Sequence, residues 1–341
     1  MSFPCLEVKP DERLRFTGRP MAPKGFPMRT LRLLVIASVF TPVVGCNWMK
    51  EWRENGDQNR QRGGLENKDA FTAETAVRYL NSQAALLQSI EYDDVHVRVY
   101  EKGFPAPVVD GNLACAQPRY FRMHVGKMTS DVDLGSNLDQ FWVYMKVPGE
   151  RPMYVYASHT DYAEGRAKLP GGLPFDPDWV MQSFGMIHFD PAAPYEMAYS
   201  ERERAYTLSW PATAPGGMAV TKQIVFESGT ATGTRPRVKK HIVRDPKTKN
   251  IITSAEVKSV QTLSITDMEG RAVAVQYPTR IALRWESQKF EMDMLLDKAR
   301  LNQQLVNDPQ RRQLFTMPRI DIPGEKGPIN LAGGMPMKVI R

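Results

Sequence analysis

The chain reads as an α+β protein built on one long antiparallel sheet. Three observations point there. Apolar and polar residues alternate with period two over many short runs, as half-buried strands do. One amphipathic helix precedes those runs. One short helix, crowded with large apolar groups, interrupts them.

The first helix is predicted from about Thr72 to Ser89. Thr72 caps it and Glu74 lies in the first turn, near the positive end of the helix dipole. Val77, Leu80, Ala84 and Leu87 fall on one stripe, with Arg78, Asn81, Ser82 and Gln88 elsewhere. A helix with one face to bury packs on a sheet. The strands follow. Val95, Val97 and Val99 alternate with His96, Arg98 and Tyr100; Phe121, Met123 and Val125 with Tyr120, Arg122 and His124. Phe141, Val143, Met145 and Val147 alternate with Trp142, Tyr144 and Lys146. Later candidates are Tyr154–Ser158, Ala205–Trp210, Val220–Phe226, Arg237–Arg244, Ile251–Ser264, Ala272–Gln276, Thr279–Trp285 and Lys289–Leu295. Pro148-Gly149, Pro215-Gly216-Gly217, Asp245-Pro246 and Glu269-Gly270 mark turns between several of them. Consecutive strands with short turns make an antiparallel meander, and one this long must curl or close to limit its edges.

The middle of the chain breaks the pattern. Lys168 to Phe175 is an apolar loop with Pro170, Gly171, Gly172 and Pro174. Asp176 or Asp178 then caps the short helix Trp179–Phe184, which Gly185 stops. Such a helix covers something apolar. Trp179, Met181 and Phe184 are therefore candidate lid contacts, with plain helix-on-sheet packing as the alternative. Leu169, Leu173 and Phe175 either touch a membrane or cargo lipid or lie buried beneath that helix.

The N-terminus carries its own pattern. Arg29 and Arg32 precede an apolar run from Leu33 to Val44, and Val43-Val44-Gly45-Cys46 closes it. A basic flank, a short apolar run and small residues before a cut site form a secretory signal. The run is too short to span a bilayer, which takes about 20 residues. With its cysteine the segment resembles the lipobox of bacterial lipoproteins, which implies that Cys46 is lipidated and becomes the first mature residue. Residues 1–45 then comprise an upstream extension plus signal peptide, and Met28 alone would open a compact signal. Residues 46–69 are the lipidated cysteine and a polar tether. Residues 70–341 are the folded domain. Asn47 after the cysteine favours the outer membrane over the inner one, by the sorting pattern of enteric bacteria. A buried helix with a chance cysteine is the alternative.

Composition bounds the function. There are 45 basic and 38 acidic residues, a net charge of +7. Without residues 1–45 the charge falls to +3, too weak and scattered for nucleic-acid binding. Cys115 is left without a partner and reads as a small apolar residue. His96, His124, His159, His188 and His241 are dispersed, with no metal-ligand spacing. No nucleophile elbow, phosphate loop or dinucleotide fingerprint occurs. Asp131-Val132-Asp133 with Gly135 and Asn137 lacks the closing glutamate of a calcium loop, since Trp142 stands there. No catalytic residue, metal or cofactor is expected.

A family resemblance rests on an ordered set of segments. Gly111-Asn112-Leu113 leads to Gln117-Pro118-Arg119-Tyr120-Phe121-Arg122, then a turn near Gly135, then Gln140-Phe141-Trp142-Val143-Tyr144. With Asp176–Phe184, Asp245-Pro246 and Phe315-Thr316-Met317-Pro318, this order resembles the LolA/LolB lipoprotein-localisation family over roughly residues 70–325. The chain departs from it in having Ala116-Gln117 before the proline and in its greater length. The resemblance implies a strongly curved, open antiparallel half-barrel, covered by the N-terminal helix and a short lid helix. It also implies a cavity for acyl chains of lipids or lipoproteins.

On that reading Phe121, Met123, Phe141, Val143 and Met145 are the first candidates for the cavity wall, with an ordinary filled core as the alternative. Arg98, Arg119 and Arg122 either hold the lid, meet a headgroup or are solvated. The leading expectation is a membrane-anchored, periplasm-facing envelope lipoprotein that binds or passes on lipid or acylated lipoprotein. The second is a non-catalytic docking lipoprotein whose half-barrel is filled by its own side chains.

Overall fold

Thr72 opens the first helix, α1 (Ala73–Leu86), by accepting from the Thr75 N–H at 3.3 Å. The computed structural model describes residues 71–170, 175–227, 237–266, 270–323 and 327–333. All of them belong to one compact unit. The lipobox, Cys46 and the polar tether lie outside the described residues. The expected stripe of α1 is buried in full: Val77, Leu80, Ala84 and Leu87 all face protein.

The strands then run β1 (Ser89–Glu101), β2 (Phe104–Pro105), β3 (Val109–Ala116), β4 (Tyr120–Lys127), β5 (Ser130–Ser136), β6 (Gln140–Lys146) and β7 (Met153–Ser158). Two short helices follow, α2 (His159–Ala163) and α3 (Pro177–Ser183). The second series is β8 (Glu196–Ser200), β9 (Ala205–Ala214), β10 (Met218–Glu227), β11 (Arg237–Arg244), β12 (Ile251–Thr266), β13 (Ala272–Trp285) and β14 (Phe290–Leu301). A last helical turn, α4 (Pro309–Arg312), and a two-residue strand, β15 (Ile329–Asn330), complete the described chain.

All the strands join one sheet, in the order β15-β7-β6-β5-β4-β3-β1-β14-β13-β12-β11-β10-β9-β8, with β2 beside β1. Every pairing is antiparallel except the short one of β15 with β7. The two series are thus two meanders, joined where β1 pairs with β14. The ends of this order, β15 and β8, do not pair with each other, so the sheet is not closed.

The sheet departs from the sequence expectation at four places. Gly135 sits within β5, not in a turn, and the hairpin bends beyond it at Asn137–Asp139. The two runs Ala272–Gln276 and Thr279–Trp285 are one strand, β13, which continues through Pro278. Proline fits because β14 pairs with β13 only from Arg280 onward, so no neighbour on that side needs a Pro278 N–H. The register against β12 also shifts beside it, at Ser259. Strands β5 and β8 carry no clean alternation and are not legible from periodicity. Finally, several residues expected on a free face are covered.

That covering comes from the C-terminal segment. Trp142, Tyr144 and Tyr154 are buried with Ile322, and Ala114, Ala116 and Tyr120 with Leu305 and Phe315. Asp133 ties this outer layer together. Its carboxylate accepts from Trp142 Nε1 at 2.8 Å and from Arg122 Nη2 at 2.7 Å, while Arg122 Nη1 donates to the Leu314 carbonyl at 3.0 Å. Arg122 is therefore a bracket for the C-terminal segment and not a solvated strand residue.

Gly135 is what lets the Trp142 ring lie flat on β5. A Cβ at that position would stand 1.9 Å from Trp142 Cζ2. Gly135→Ala is expected to lower stability by about 2–3 kcal/mol, the cost of overpacking a filled site. A lowered urea midpoint with an unchanged slope would show it, and an unshifted midpoint would count against this packing argument.

Candidate functional site

The other face of the sheet is organised around α3. Asp176 caps it, accepting from the N–H groups of Asp178 (3.0 Å) and Trp179 (3.3 Å), and Pro177 stands in the first turn. Gly185, at φ +77°, turns the chain out of the helix. Trp179, Met181 and Phe184 are buried, at 2%, 0% and 1% exposure.

The contacts of this one helix reach strands far apart in the sheet. Phe175, just ahead of it, meets Phe141 of β6 at 6.2 Å between ring centroids. Trp179 lies edge-on to Trp285 of β13 at 6.1 Å, and Phe184 against Tyr92 of β1 at 6.3 Å. Gln182 Nε2 donates to His241 Nδ1 of β11 at 3.1 Å. Asp176 lies 3.9 Å from Lys222 of β10. β6 and β10 are nine strand steps apart in the sheet order. At about 4.8 Å per step a flat sheet would separate them by roughly 43 Å. A helix of this length spans roughly 10 Å. The sheet must therefore curl around α3.

Charged groups hold the start of the helix. Arg119, immediately before β4, grips Asp178 in a fork, Nε to Oδ1 and Nη2 to Oδ2, both at 2.7 Å. Of the three arginines weighed from the sequence, Arg119 touches α3, Arg122 serves the opposite face and Arg98 is exposed. The Arg119–Asp178 pair is about one-third exposed on both sides, so it fixes geometry more than it adds stability, at about 0–1 kcal/mol.

The residues expected to form a cavity wall are mostly brought together. Phe121, Met123, Phe141 and Val143 share one buried cluster with Trp179, Met181 and Phe184. Phe141 packs edge-on against Tyr162 of α2 at 4.9 Å. Met145 does not join them; it is only partly buried near the end of β6. Leu169 and Phe175 are buried in the same cluster, and Leu173 lies outside the described residues.

Beside α3, between it, α1 and strands β11–β13, lies an apolar cleft. Leu80, Leu87, Phe184, Phe189, Val257 and Tyr277 are among its walls, and its open volume is about 70 Å³. Phe189 in its wall is held by Asn81 of α1, which donates to the Phe189 carbonyl at 2.8 Å and accepts from the Phe189 N–H at 2.7 Å. Sequence reasoning did not find this cleft. Its polar members, among them Gln182, His241 and Arg237, are scattered in the chain and carry no motif. Among the described residues, no group of three His, Cys, Asp or Glu is arranged to hold a metal ion. No helix among them is long and apolar enough to cross a membrane.

No family model matches this chain, and no curated protein matches it. Solved structures of similar fold include a putative outer membrane lipoprotein-sorting protein domain from Vibrio parahaemolyticus, 9% identical, TM-score 0.45, covering 72% of this chain and all of that one. A DUF1329 family protein from Desulfovibrio piger is 9% identical at TM-score 0.42, over 68% of this chain and 93% of its own. A LolA superfamily protein from Nitrosomonas europaea is 11% identical at TM-score 0.39, over 73% and 99%. At these scores the likeness bears on neither ligand nor activity.

His241 gives the site a pH dependence. Burial, aided by nearby Lys222, pulls its pKa from 6.5 down to about 4. The folded state keeps the ring neutral while the unfolded chain takes up a proton near 6.5. Stability therefore falls as pH drops from about 6.5 towards 4, by about 3 kcal/mol in all. Burial lowers His159 too, which adds in the same direction. Burial raises Asp176, which works the opposite way. His241→Gln is expected to flatten the stability profile between pH 6.5 and 4; equal slopes for the two proteins would refute the assignment.

Proposed function

We propose that this protein is a non-catalytic lipid-binding protein of the cell envelope, whose curled sheet takes up an acyl chain when α3 gives way. The observation that carries the reading is the placing of one short helix, which plugs the curled sheet with Trp179, Met181 and Phe184 beside an apolar cleft. Ligand sites measure about 300–1,000 Å³. The cleft is well below that, so α3 acts as a lid and has to move. Phe121, Met123, Phe141 and Val143, with Met145 at the rim, then become chain contacts.

The magnitudes allow such an exchange. Uncovering three large apolar side chains costs roughly 1.5–3 kcal/mol each. Burying a twelve-carbon chain gains about 9 kcal/mol at about 0.8 kcal/mol per CH₂. The two are of similar size, so a chain can replace the lid residues without a large net cost. Trp179 Nε1 is buried with no acceptor, a penalty of about 1–3 kcal/mol that opening would relieve. The Arg119–Asp178 fork sits at the rim, where water can solvate both partners once the lid leaves.

The cargo is free lipid or the acyl chains of a lipoprotein. Cys46, lipidated, would anchor the protein facing the periplasm, at the outer membrane in preference to the inner. Several acyl chains are needed for this, since one alone gives only marginal attachment. A second reading is a docking lipoprotein with a permanently filled core. The tight seating of Phe141 on Tyr162 and Phe175 favours it.

Two measurements test these readings. Solvent extraction and mass spectrometry of the purified protein should find bound lipid. A fluorescent fatty acid should bind saturably, about fivefold tighter to Phe184→Ala, which opens the cleft. No lipid and no probe binding in either protein would favour the filled core. Separately, Cys46→Ala should shift the protein from the membrane fraction to the soluble one; retention there would defeat acyl anchoring.

A further inference from the structure

The cleft beside α3 is not uniformly apolar. Arg237, the first residue of β11, lines it. Arg237 is the only lysine, arginine or carboxylate-bearing residue among the described residues that line the cleft, and no aspartate or glutamate is among them. The guanidinium is only partly engaged. Its Nη2 donates to Glu227 of β10 at 3.0 Å, while Nε is buried and has no partner. A buried guanidinium N–H left without an acceptor is costly, and hydrogen bonds to charged groups are the strong ones. An anion at that point would satisfy it.

Walls of hydrocarbon and one spare cationic donor describe an amphiphile. We propose that the cleft takes a single-chain lipid with a small anionic head, a long-chain carboxylate, whose head accepts from Arg237 Nε while its chain runs along Phe184, Val257 and Tyr277 under the displaced α3. A carboxylate fits better than a phosphate monoester, because Glu227 already occupies one edge of the guanidinium and a doubly charged head would face that carboxylate. Glu227 in turn competes with the ligand for the same cation. His241, on the same wall, is kept neutral by its surroundings and adds no charge. Asp176 and Lys222, around the capped end of α3, pair with each other and do not line the cleft. This assignment rests on the lipid-binding reading above and narrows its ligand class.

The experiment is calorimetric titration of the full chain with dodecanoate, 1-dodecanol and dodecyl phosphate. Dodecanoate should bind at least tenfold tighter than dodecanol. Arg237→Gln should bring the two within twofold by weakening dodecanoate alone, and Arg237→Lys should keep part of the preference. Glu227→Gln, which removes the competitor and leaves the cation, should tighten dodecanoate about threefold. Far-ultraviolet dichroism and the urea midpoint check that each variant folds; should Arg237→Gln fail to fold, the Glu227→Gln result decides. Equal affinity for dodecanoate and dodecanol in the unaltered protein would overturn the anionic head while leaving lipid binding standing. Dodecyl phosphate binding tighter than dodecanoate would overturn the carboxylate assignment. Binding of none of the three would overturn both readings.

Discussion

A helix of seven residues holds the two wings of the sheet together. Everything else about the inner face follows from that constraint. A long antiparallel sheet with two apolar faces has no flat solution in water, because each face must be covered. Here the outer face of β4–β7 is covered by the chain's own C-terminal segment, through the Arg122–Asp133–Trp142 bonds and the rings of Tyr120, Tyr144 and Phe315. The inner face is covered by curling onto α3 and α1. The two coverings differ in kind. The outer one is stitched by the Asp133 bonds across strands, whereas the inner one is mostly apolar contact, with the Arg119–Asp178 fork at its rim and the buried Gln182–His241 bond within it. Apolar contact is non-directional and exchangeable for other hydrocarbon.

Much of this was legible in the residues. The α1 stripe, the cap at Thr72 and strand β11 were read correctly because each carries a local signal, a period or a cap, that tertiary contacts reinforce. The short helix after Phe175 is legible for the same reason, from Asp176 or Asp178 as its cap and Gly185 as its stop, although it starts at Pro177 under Asp176 rather than at Trp179. What was not legible depends on distant pairing. Gly135 looks like a turn residue, and its strand position makes sense only once the Trp142 ring is known to lie on it. Pro278 looks like a break, and is tolerated because β14 starts pairing two residues later. Trp142 and Tyr144 read as one face of an alternating strand, but the segment that covers them arrives some 175 residues later, a span over which no local pattern speaks.

The site divides along the same line. The apolar members could be found by spacing, since a strand that feeds a buried face shows it in every second residue. The polar members could not. Gln182 meets His241 and Asp178 meets Arg119 only because a curled sheet brings β11 and the start of β4 to one helix, whereas Glu227 and Arg237 are cross-strand partners of the adjacent β10 and β11. A lone histidine or arginine in a strand has no signature that separates a solvated residue from a buried one.

Openness is itself a property that the edges have to sustain. An unpaired strand edge invites pairing with another chain, and closure is one cure. This sheet uses the other. At one end β8 is five residues long, with Pro191 and Pro194 just before it, and at the other β15 contributes two residues. Each covers only part of the strand behind it: β15 meets β7 at Val155 and Tyr156, and β8 meets β9 from Ala205 to Ser209. An unclosed sheet whose wings are joined by β1 and β14 at one seam, and bridged elsewhere by side chains on a short helix, can widen by small changes of twist at each strand step. A closed barrel of the same strands would be fixed in bore by its register. In this open sheet the interior between the wings is filled by α3 and the side chains packed on it.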